Sequence, residues 1–216
     1  MSEHPVGLAH HFDDLEQQHA AANLGMWVFL ITEIMFFGGL FAGYTVYRWR
    51  YPAVFAEASH RVDLLLGAIN TAVLIGSSLT MAMAVYCAQM EKRRIVVMFL
   101  ILTILLGSVF LVIKGVEYHH KYEHGLMPLG GLPFVWDGPS PGHAEMFFDL
   151  YFLMTGVHAL HMLIGLGVLL GLLIKARCGG LLGEFSMPVH LTGLYWHFVD
   201  IVWVFLFPFL YLIGAR

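Results

Sequence analysis

Long apolar runs separated by short polar breaks dominate this chain. A run of about 20 apolar residues is long enough to cross about 30 Å of hydrocarbon as an α-helix. We predict five such helices, over residues 24–47, 64–90, 95–113, 145–174 and 189–213. The pattern therefore predicts an all-α fold, a polytopic membrane helix bundle of five transmembrane helices. Residues 1–22 are predicted to be a soluble N-terminal tail, and residues 23–216 the membrane domain.

The breaks between the runs contain charges, prolines or glycines. Residues 48–52, Arg-Trp-Arg-Tyr-Pro, place aromatic side chains at the depth of the membrane interface. Residues 91–94 are four consecutive charged residues, so we expect the second and third helices to be antiparallel neighbours. Residues 114–142 contain repeated Pro and Gly, and we predict an irregular exposed loop there.

Composition excludes several classes of protein. The chain is 59% hydrophobic and only 12% charged, with a mean hydropathy of +0.75, which excludes an ordinary soluble domain. Cys87 and Cys178 form no CxxC motif and no Cys/His cluster, so no disulfide or zinc framework is predicted. The net charge of −4 gives no reason to expect a nucleic-acid partner.

Small and hydroxyl-bearing residues mark faces where helices can meet. Two Gly-x-x-x-Gly strips, at 39–43 and 167–171, allow close approach of another helix. That helix belongs either to this bundle, which we favour, or to a partner subunit. The second predicted helix carries polar side chains that can form hydrogen bonds across a helix pair, namely Asn70, Thr71, Ser77, Ser78 and Thr80.

A carboxyl side chain lies in the middle of the first predicted helix. Glu33 is about 14 Å along this helix from its start, near mid-bilayer, and no Lys or Arg shares the helix. A charge at that depth costs at least about 2.5–3.5 kcal/mol on insertion scales. We therefore expect Glu33 to be protonated or hydrogen-bonded to His or Thr on neighbouring helices. Either helix packing or proton handling would account for such a residue.

Two further pairs of polar residues lie inside predicted helices. His158 and His161 are three residues apart, as are His197 and Asp200, so each pair shares one helix face. We expect a hydrogen-bonded network of His, Asp and Glu between helices. A metal or haem site made by the three histidines is the alternative. Glu117, after the third helix, is expected near the membrane interface, where water can solvate it.

Five strings, in order along the chain, carry a resemblance to a known family. Residues 195–205, Tyr-Trp-His-Phe-Val-Asp-Ile-Val-Trp-Val-Phe, closely resemble the last helix of subunit III of the haem-copper cytochrome c oxidases. Residues 29–37 resemble the family helix that bears its membrane carboxylate, and residues 66–71 resemble the start of the next helix. Glu117-Tyr118 resembles the Glu-Tyr pair with which the family's next helix ends. Residues 155–165 resemble the family's Thr-Gly-Phe-His-Gly-Leu-His pattern.

The likeness extends over about residues 23–213 and is to the five-helix bacterial type, because longer members have two additional helices first. It implies an accessory subunit III of a proton-pumping terminal oxidase in aerobic respiratory electron transport. Such a chain belongs to an oxidoreductase complex but has no catalytic residue, metal or other cofactor of its own. Haems and copper are expected in partner subunits, and this chain would support the stability and proton uptake of catalytic subunit I.

The resemblance also implies partners and a location. Oxidase subunits I and II and membrane lipids are the expected partners, and a larger respiratory supercomplex stays open. Glu33 would be the membrane carboxylate, and Lys175 and Arg177 are candidate contacts for the headgroup of a bound phospholipid. The location implied is the bacterial cytoplasmic membrane, with the N-terminus cytoplasmic and the C-terminus outside. The 11 Lys and Arg residues divide almost evenly between the two sides, so charge does not choose the orientation.

Three alternatives stay open at this point. Within the same superfamily, a quinol oxidase has a similar third subunit, and an accessory protein of a nitric oxide reductase is a more distant relative. The alternative from a different class is a stand-alone membrane metalloenzyme that uses His158, His161 and His197 as ligands.

Overall fold

The computed structural model describes residues 11–128, 134–177 and 182–213, and the regular structure in these ranges is entirely helical. The helices are α1 (Leu15–Arg50), α2 (Pro52–Ser59), α3 (Leu64–Gln89), α4 (Arg93–Glu123), α5 (Pro141–Arg177) and α6 (Leu182–Tyr211). All except α2 are long and apolar enough to cross a membrane. The predicted all-α architecture with five spans is therefore confirmed, and α2 is an additional short helix.

The central helix of the bundle is α6, which contacts α1, α3 and α5. In the most apolar stretch of α6, 56% of the residues are buried, against 11% in α1. The most extensive pair is α3 and α4, joined by a tight turn in which Glu91 takes a left-handed φ of 57°. These two helices are thus neighbours across a charged turn, as predicted. In contrast, α1 leaves most of its apolar surface exposed.

Side-chain caps fix where two of the helices begin. The Asp14 carboxylate accepts a hydrogen bond from the Gln17 backbone N–H at 2.7 Å, so α1 starts at Leu15, before the predicted 24. The Asp63 carboxylate accepts from the Leu66 N–H at 3.0 Å and starts α3. The polar residues before position 24 therefore belong to α1, whose helix begins ahead of its apolar run.

The prediction of an irregular exposed loop over 114–142 is wrong for its first third. Helix α4 continues to Glu123, and Lys114, Glu117 and Lys121 all lie on its buried side, with 4%, 1% and 5% of their surfaces exposed. The sequence pattern predicts the end of the third membrane helix just before these charges. The helix persists because these side chains find partners inside the bundle.

The preferred assignment of the two Gly-x-x-x-Gly strips to packing within the bundle is also wrong. A Cβ atom added at either end of the strips 39–43 and 167–171 would meet no atom within 4 Å. Other glycines do permit close packing, among them Gly107 and Gly165, which both contact the Trp196 indole. A Cβ at Gly107 would lie 2.8 Å from this ring, and one at Gly165 would lie 3.0 Å from it.

Candidate polar sites in the membrane bundle

Every polar side chain singled out on α3 forms a hydrogen bond to a neighbouring helix, which confirms that prediction. The bonds join Asn70 to the Phe110 carbonyl (3.3 Å), Thr71 to Trp203 (3.0 Å), Ser77 to Trp196 (3.1 Å), Ser78 to His197 (2.8 Å) and Thr80 to Thr103 (2.8 Å). Two of the donors are indole N–H groups of α6. The tryptophans of the last helix are therefore fixed by α3 as well as by packing.

Glu33 and His161 form a pair that joins α1 to α5. Glu33 Oε2 lies 3.1 Å from His161 Nε2, and the two side chains are 19% and 13% exposed. The hydrogen bond expected for Glu33 to a histidine of a neighbouring helix is thus present. His161 Nδ1 lies 2.8 Å from the Val157 carbonyl, which can only accept, so Nδ1 carries a proton. A hydrogen bond between Nε2 and the carboxyl oxygen can then be donated by either the imidazole or the carboxyl group.

His197 and Asp200 lie where α6 faces α3. The Ser78 hydroxyl and His197 Nδ1 are 2.8 Å apart. Asp200 is 6% exposed, and neither of its carboxylate oxygens accepts a well-formed hydrogen bond from the described residues. The hydroxyl close to it is that of Ser78, and in the contact between Ser78 and His197 Nδ1 either atom can be the donor.

His158 occupies a third, separate environment. Its ring is completely buried between Phe110 and Trp203, with centroids 5.4 and 5.1 Å away, and neither ring nitrogen has a hydrogen-bond partner among the described residues. The structure thus separates His158, His161 and His197 instead of joining them in one network. Across the parts of the chain described, no three His, Cys, Asp or Glu side chains are placed to hold a metal ion.

Glu117 belongs to a buried cluster that the sequence analysis missed, and the expectation that water solvates it is wrong. Lys114 Nζ donates to Glu117 Oε2 at 2.8 Å, to the Tyr211 hydroxyl at 2.6 Å and to the Tyr151 hydroxyl at 3.2 Å. Each tyrosine hydroxyl in turn donates to Glu117 Oε1 at 2.8 Å. These four residues, the Lys114 cluster, join α4, α5 and α6.

The Lys114 cluster is closed on itself. The ammonium has three protons and three oxygen acceptors, and it lies 4.8 Å from the centre of the Trp203 ring. Two turns beyond Lys114 on α4, Lys121 donates to the Arg61 carbonyl at 2.9 Å. Lys114, Glu117 and Lys121 are spaced by three and four residues, which places them on one helix face. This spacing is the signal that could have identified the cluster from the sequence.

Lys175 and Arg177 lie exposed at the end of α5. Arg93 donates from Nε to the Ala176 carbonyl at 2.6 Å and from Nη2 to the Arg177 carbonyl at 2.9 Å, which ties α4 to the end of α5. Arg93, Arg94 and Arg177 line a cavity of about 360 Å³. Arg177 thus faces a basic pocket, and Lys175 does not line it.

Comparison with known proteins identifies the family. The family description of cytochrome c oxidase subunit III matches residues 143–215, which include His158, His161, His197 and Asp200. "Quinol oxidase subunit 3" of Bacillus spizizenii is 34% identical over 192 residues, covering 88% of this chain and 86% of the relative. Two proteins named "Probable quinol oxidase subunit 3" are similar over comparable lengths. The one from Staphylococcus haemolyticus is 32% identical (88% of each chain), and the one from Staphylococcus saprophyticus is 30% identical (96% and 98%). This chain belongs to the subunit III family of the haem-copper oxidases.

Proposed function

We propose that this chain is the third subunit of a quinol-oxidising haem-copper terminal oxidase. The observation that carries the proposal is similarity over nearly the whole chain to proteins named quinol oxidase subunit 3. In the proposed complex, electrons from a membrane quinol reduce oxygen at haems and copper held by a partner subunit. This chain lies beside that subunit in the bacterial cytoplasmic membrane, with its N-terminus cytoplasmic and its C-terminus outside.

The geometry favours a supporting role over a metal site of its own. Two of the candidate histidine ligands are already engaged, His161 with Glu33 and His197 with Ser78. The third, His158, is enclosed by aromatic rings. Most of the polar side chains of the bundle bond to neighbouring helices, an arrangement suited to holding a rigid surface against a catalytic partner.

The electron donor is tested on the purified complex. We expect oxygen consumption with a reduced quinol analogue and none with reduced cytochrome c. A complex that purifies with this chain but uses only cytochrome c would refute the quinol assignment. Absence of this chain from every oxidase complex of the membrane would refute the function as a whole.

Cytochrome c oxidation is the second candidate, because the family description that matches residues 143–215 is that of cytochrome c oxidase subunit III. The same assay decides between the two donors. The haem spectrum of the complex and the identity of its other chains would establish the haem types and any supercomplex.

Glu33 is proposed to support proton uptake through the hydrogen bond that it shares with His161. Glu33→Gln separates this role from packing, because a glutamine amide can still donate to His161 Nε2 but cannot transfer a proton. We expect Glu33→Gln to leave the haem spectrum and subunit content unchanged while lowering proton uptake or shortening the lifetime of turnover. Glu33→Ala should show the same defect and also loosen α1.

The control for Glu33 is Thr32→Ala on the same helix. Among the residues that the structure describes, the Thr32 hydroxyl bonds only to the Phe29 carbonyl of its own helix, and its loss should change nothing measurable. Wild-type pumping and inactivation kinetics in Glu33→Gln would reduce Glu33 to a packing residue.

Lys175 and Arg177 are proposed as headgroup contacts of a bound phospholipid. Lipid analysis of the purified complex should show less retained anionic phospholipid in the Lys175→Gln/Arg177→Gln variant. Unchanged lipid content would remove both residues from this role.

A further inference from the structure

Three arginine side chains surround one cavity where α4 begins and α5 ends. Arg93, Arg94 and Arg177 line this cavity, the Arg93 pocket, together with Val97 and Ala176, and its volume is about 360 Å³. Among the residues that the structure describes, those that line it include no acidic side chain. Three like charges around one cavity repel each other, and an anion between them relieves that repulsion.

Arg93 is the fixed part of this pocket. Its Nε donates to the Ala176 carbonyl at 2.6 Å and its Nη2 to the Arg177 carbonyl at 2.9 Å. These two bonds hold the planar guanidinium group against the end of α5. A guanidinium has five N–H donors, so further donors remain for an anion. Because the group is already held in place, binding an anion costs little additional side-chain entropy.

The negative end of α5 does not cancel the positive charge of the pocket. The free carbonyls at the C-terminus of a helix amount to about −0.5 elementary charge, and Arg93 already binds two carbonyls there. Arg94 and Arg177 are exposed and add two further positive charges. A net charge of roughly +2.5 therefore remains around the cavity.

The depth and the walls of the pocket restrict its ligand. The pocket lies at one end of two helices that can cross a membrane, Arg93–Glu123 and Pro141–Arg177. Headgroup phosphates lie at the depth where such helices leave the hydrocarbon. Guanidinium groups match the oxygens of phosphate in geometry, and basic pockets between membrane helices suit anionic headgroups. Val97, about one turn deeper along α4, adds an apolar wall that suits the glycerol and acyl part of a lipid.

We propose that the Arg93 pocket binds a phosphate group, carried either by an anionic phospholipid or by a soluble phosphate. Arg93 and Arg94 bind the anion from α4 and Arg177 binds it from α5, so the ligand ties the start of one helix to the end of the other. The proposal rests on the headgroup role proposed above for Arg177. It goes further by assigning the phosphate to Arg93 and Arg94 and by leaving Lys175 outside the site.

A surplus of basic residues at one face of a membrane protein is also common as a signal for orientation. That signal depends on charge alone, so it makes Lys92 and Arg94 equivalent. A phosphate site distinguishes them, because Arg94 lines the pocket and Lys92, two residues earlier, does not. The two residues therefore provide a matched pair of neutralising substitutions.

Titration of the purified complex tests the site. The oxidase complex that contains this chain is stripped of lipid in detergent and titrated by calorimetry with dihexanoyl phosphatidylglycerol. We expect Arg94→Gln and Arg177→Gln each to weaken binding about tenfold, and Lys92→Gln to bind as wild type does. Arg177→Gln keeps the tie between the helices, because Arg93 bonds to the backbone carbonyl of residue 177. Equal losses in Arg94→Gln and Lys92→Gln, or no loss in either, would overturn the phospholipid as ligand.

Inorganic phosphate, titrated in the same way, identifies the source of the phosphate group. Phosphate binding that Arg94→Gln weakens and Lys92→Gln does not supports a soluble ligand, and binding of phosphatidylglycerol alone supports a lipid headgroup. If neither probe shows binding that depends on Arg94, the proposal is overturned. In that case the complex still oxidises quinol, so the proposed function stands. Failure of the wild-type chain to purify with any oxidase would instead refute the function itself.

Discussion

Removing the carboxylate of Glu117 should destabilise the bundle strongly. In Glu117→Ala the Lys114 ammonium, 4% exposed, keeps only two neutral hydroxyl acceptors, those of Tyr151 and Tyr211. Removal of one partner of a buried ion pair typically costs about 3–5 kcal/mol. The two tyrosine hydroxyls also lose their acceptor, so we expect a loss of free energy of unfolding in the upper part of this range.

Replacing both charges should cost less than removing one. In Lys114→Met/Glu117→Leu neither charge of this pair is left without the other, and the Tyr151 and Tyr211 hydroxyls, 3.4 Å apart, can bond to each other. Apolar replacement of a buried ion pair is often neutral or stabilising. A double-mutant cycle with the single variants Lys114→Met and Glu117→Leu should therefore show a favourable coupling between Lys114 and Glu117, within the range of about 0.5–3 kcal/mol seen for contacting residues.

Cys87 provides the assay. It is buried on α3, and the chain has one other cysteine, so a Cys178→Ser background leaves a single thiol. The rate at which a thiol reagent labels Cys87 in detergent then reports the unfolded fraction across a denaturant titration. Each 1.4 kcal/mol lost raises that fraction tenfold at a fixed denaturant concentration. A Glu117→Ala variant within about 1 kcal/mol of wild type, or a double variant worse than the sum of the singles, would refute the reasoning.

Two further substitutions test how the helices pack. Gly107→Ala should cost about 1–3 kcal/mol, because its Cβ would lie 2.8 Å from the buried Trp196 ring, while Gly115→Ala on the same helix meets nothing and should be neutral or stabilising. The Cys87 assay measures both, and equal effects would contradict the packing argument. Tyr44→Phe removes the hydroxyl that donates to the Phe209 carbonyl at 2.6 Å and should cost about 1 kcal/mol while loosening α1 from α6. Unchanged hydrogen exchange of α1 would show that this bond does not hold the two helices together.

The number of spans and the polar contacts of α3 were predictable, whereas the end of α4 was not. Apolar runs fix which segments are buried in the membrane, and a hydroxyl or amide within such a run needs a partner on a neighbouring helix. The number of charges in residues 114–123 is typical of an exposed loop. The segment is helical because Glu117 has hydrogen-bond partners inside the bundle, Tyr151 and Tyr211. These tyrosines lie on other helices, so the local sequence does not reveal them.

The glycines show a second limit of sequence reasoning. Gly-x-x-x-Gly strips permit close packing but do not say which helix uses them. A Cβ at Gly39 or Gly43 would meet none of the other helices described, whereas Gly107 and Gly165, which belong to no such strip, both contact Trp196. The choice depends on the orientation of each helix about its axis, which tertiary contacts determine.

A polar residue deep in a membrane is by default a candidate for function. The hydrogen bonds that each such residue forms show which of them serve stability and which serve another role. The Lys114 cluster satisfies its own donors and acceptors, so its effect belongs to the stability of the chain. Glu33 and His161 bond to each other across α1 and α5, and this contact is the basis of the proton role proposed for Glu33. Substitutions in these two places should accordingly affect unfolding and proton uptake, respectively, in separate measurements.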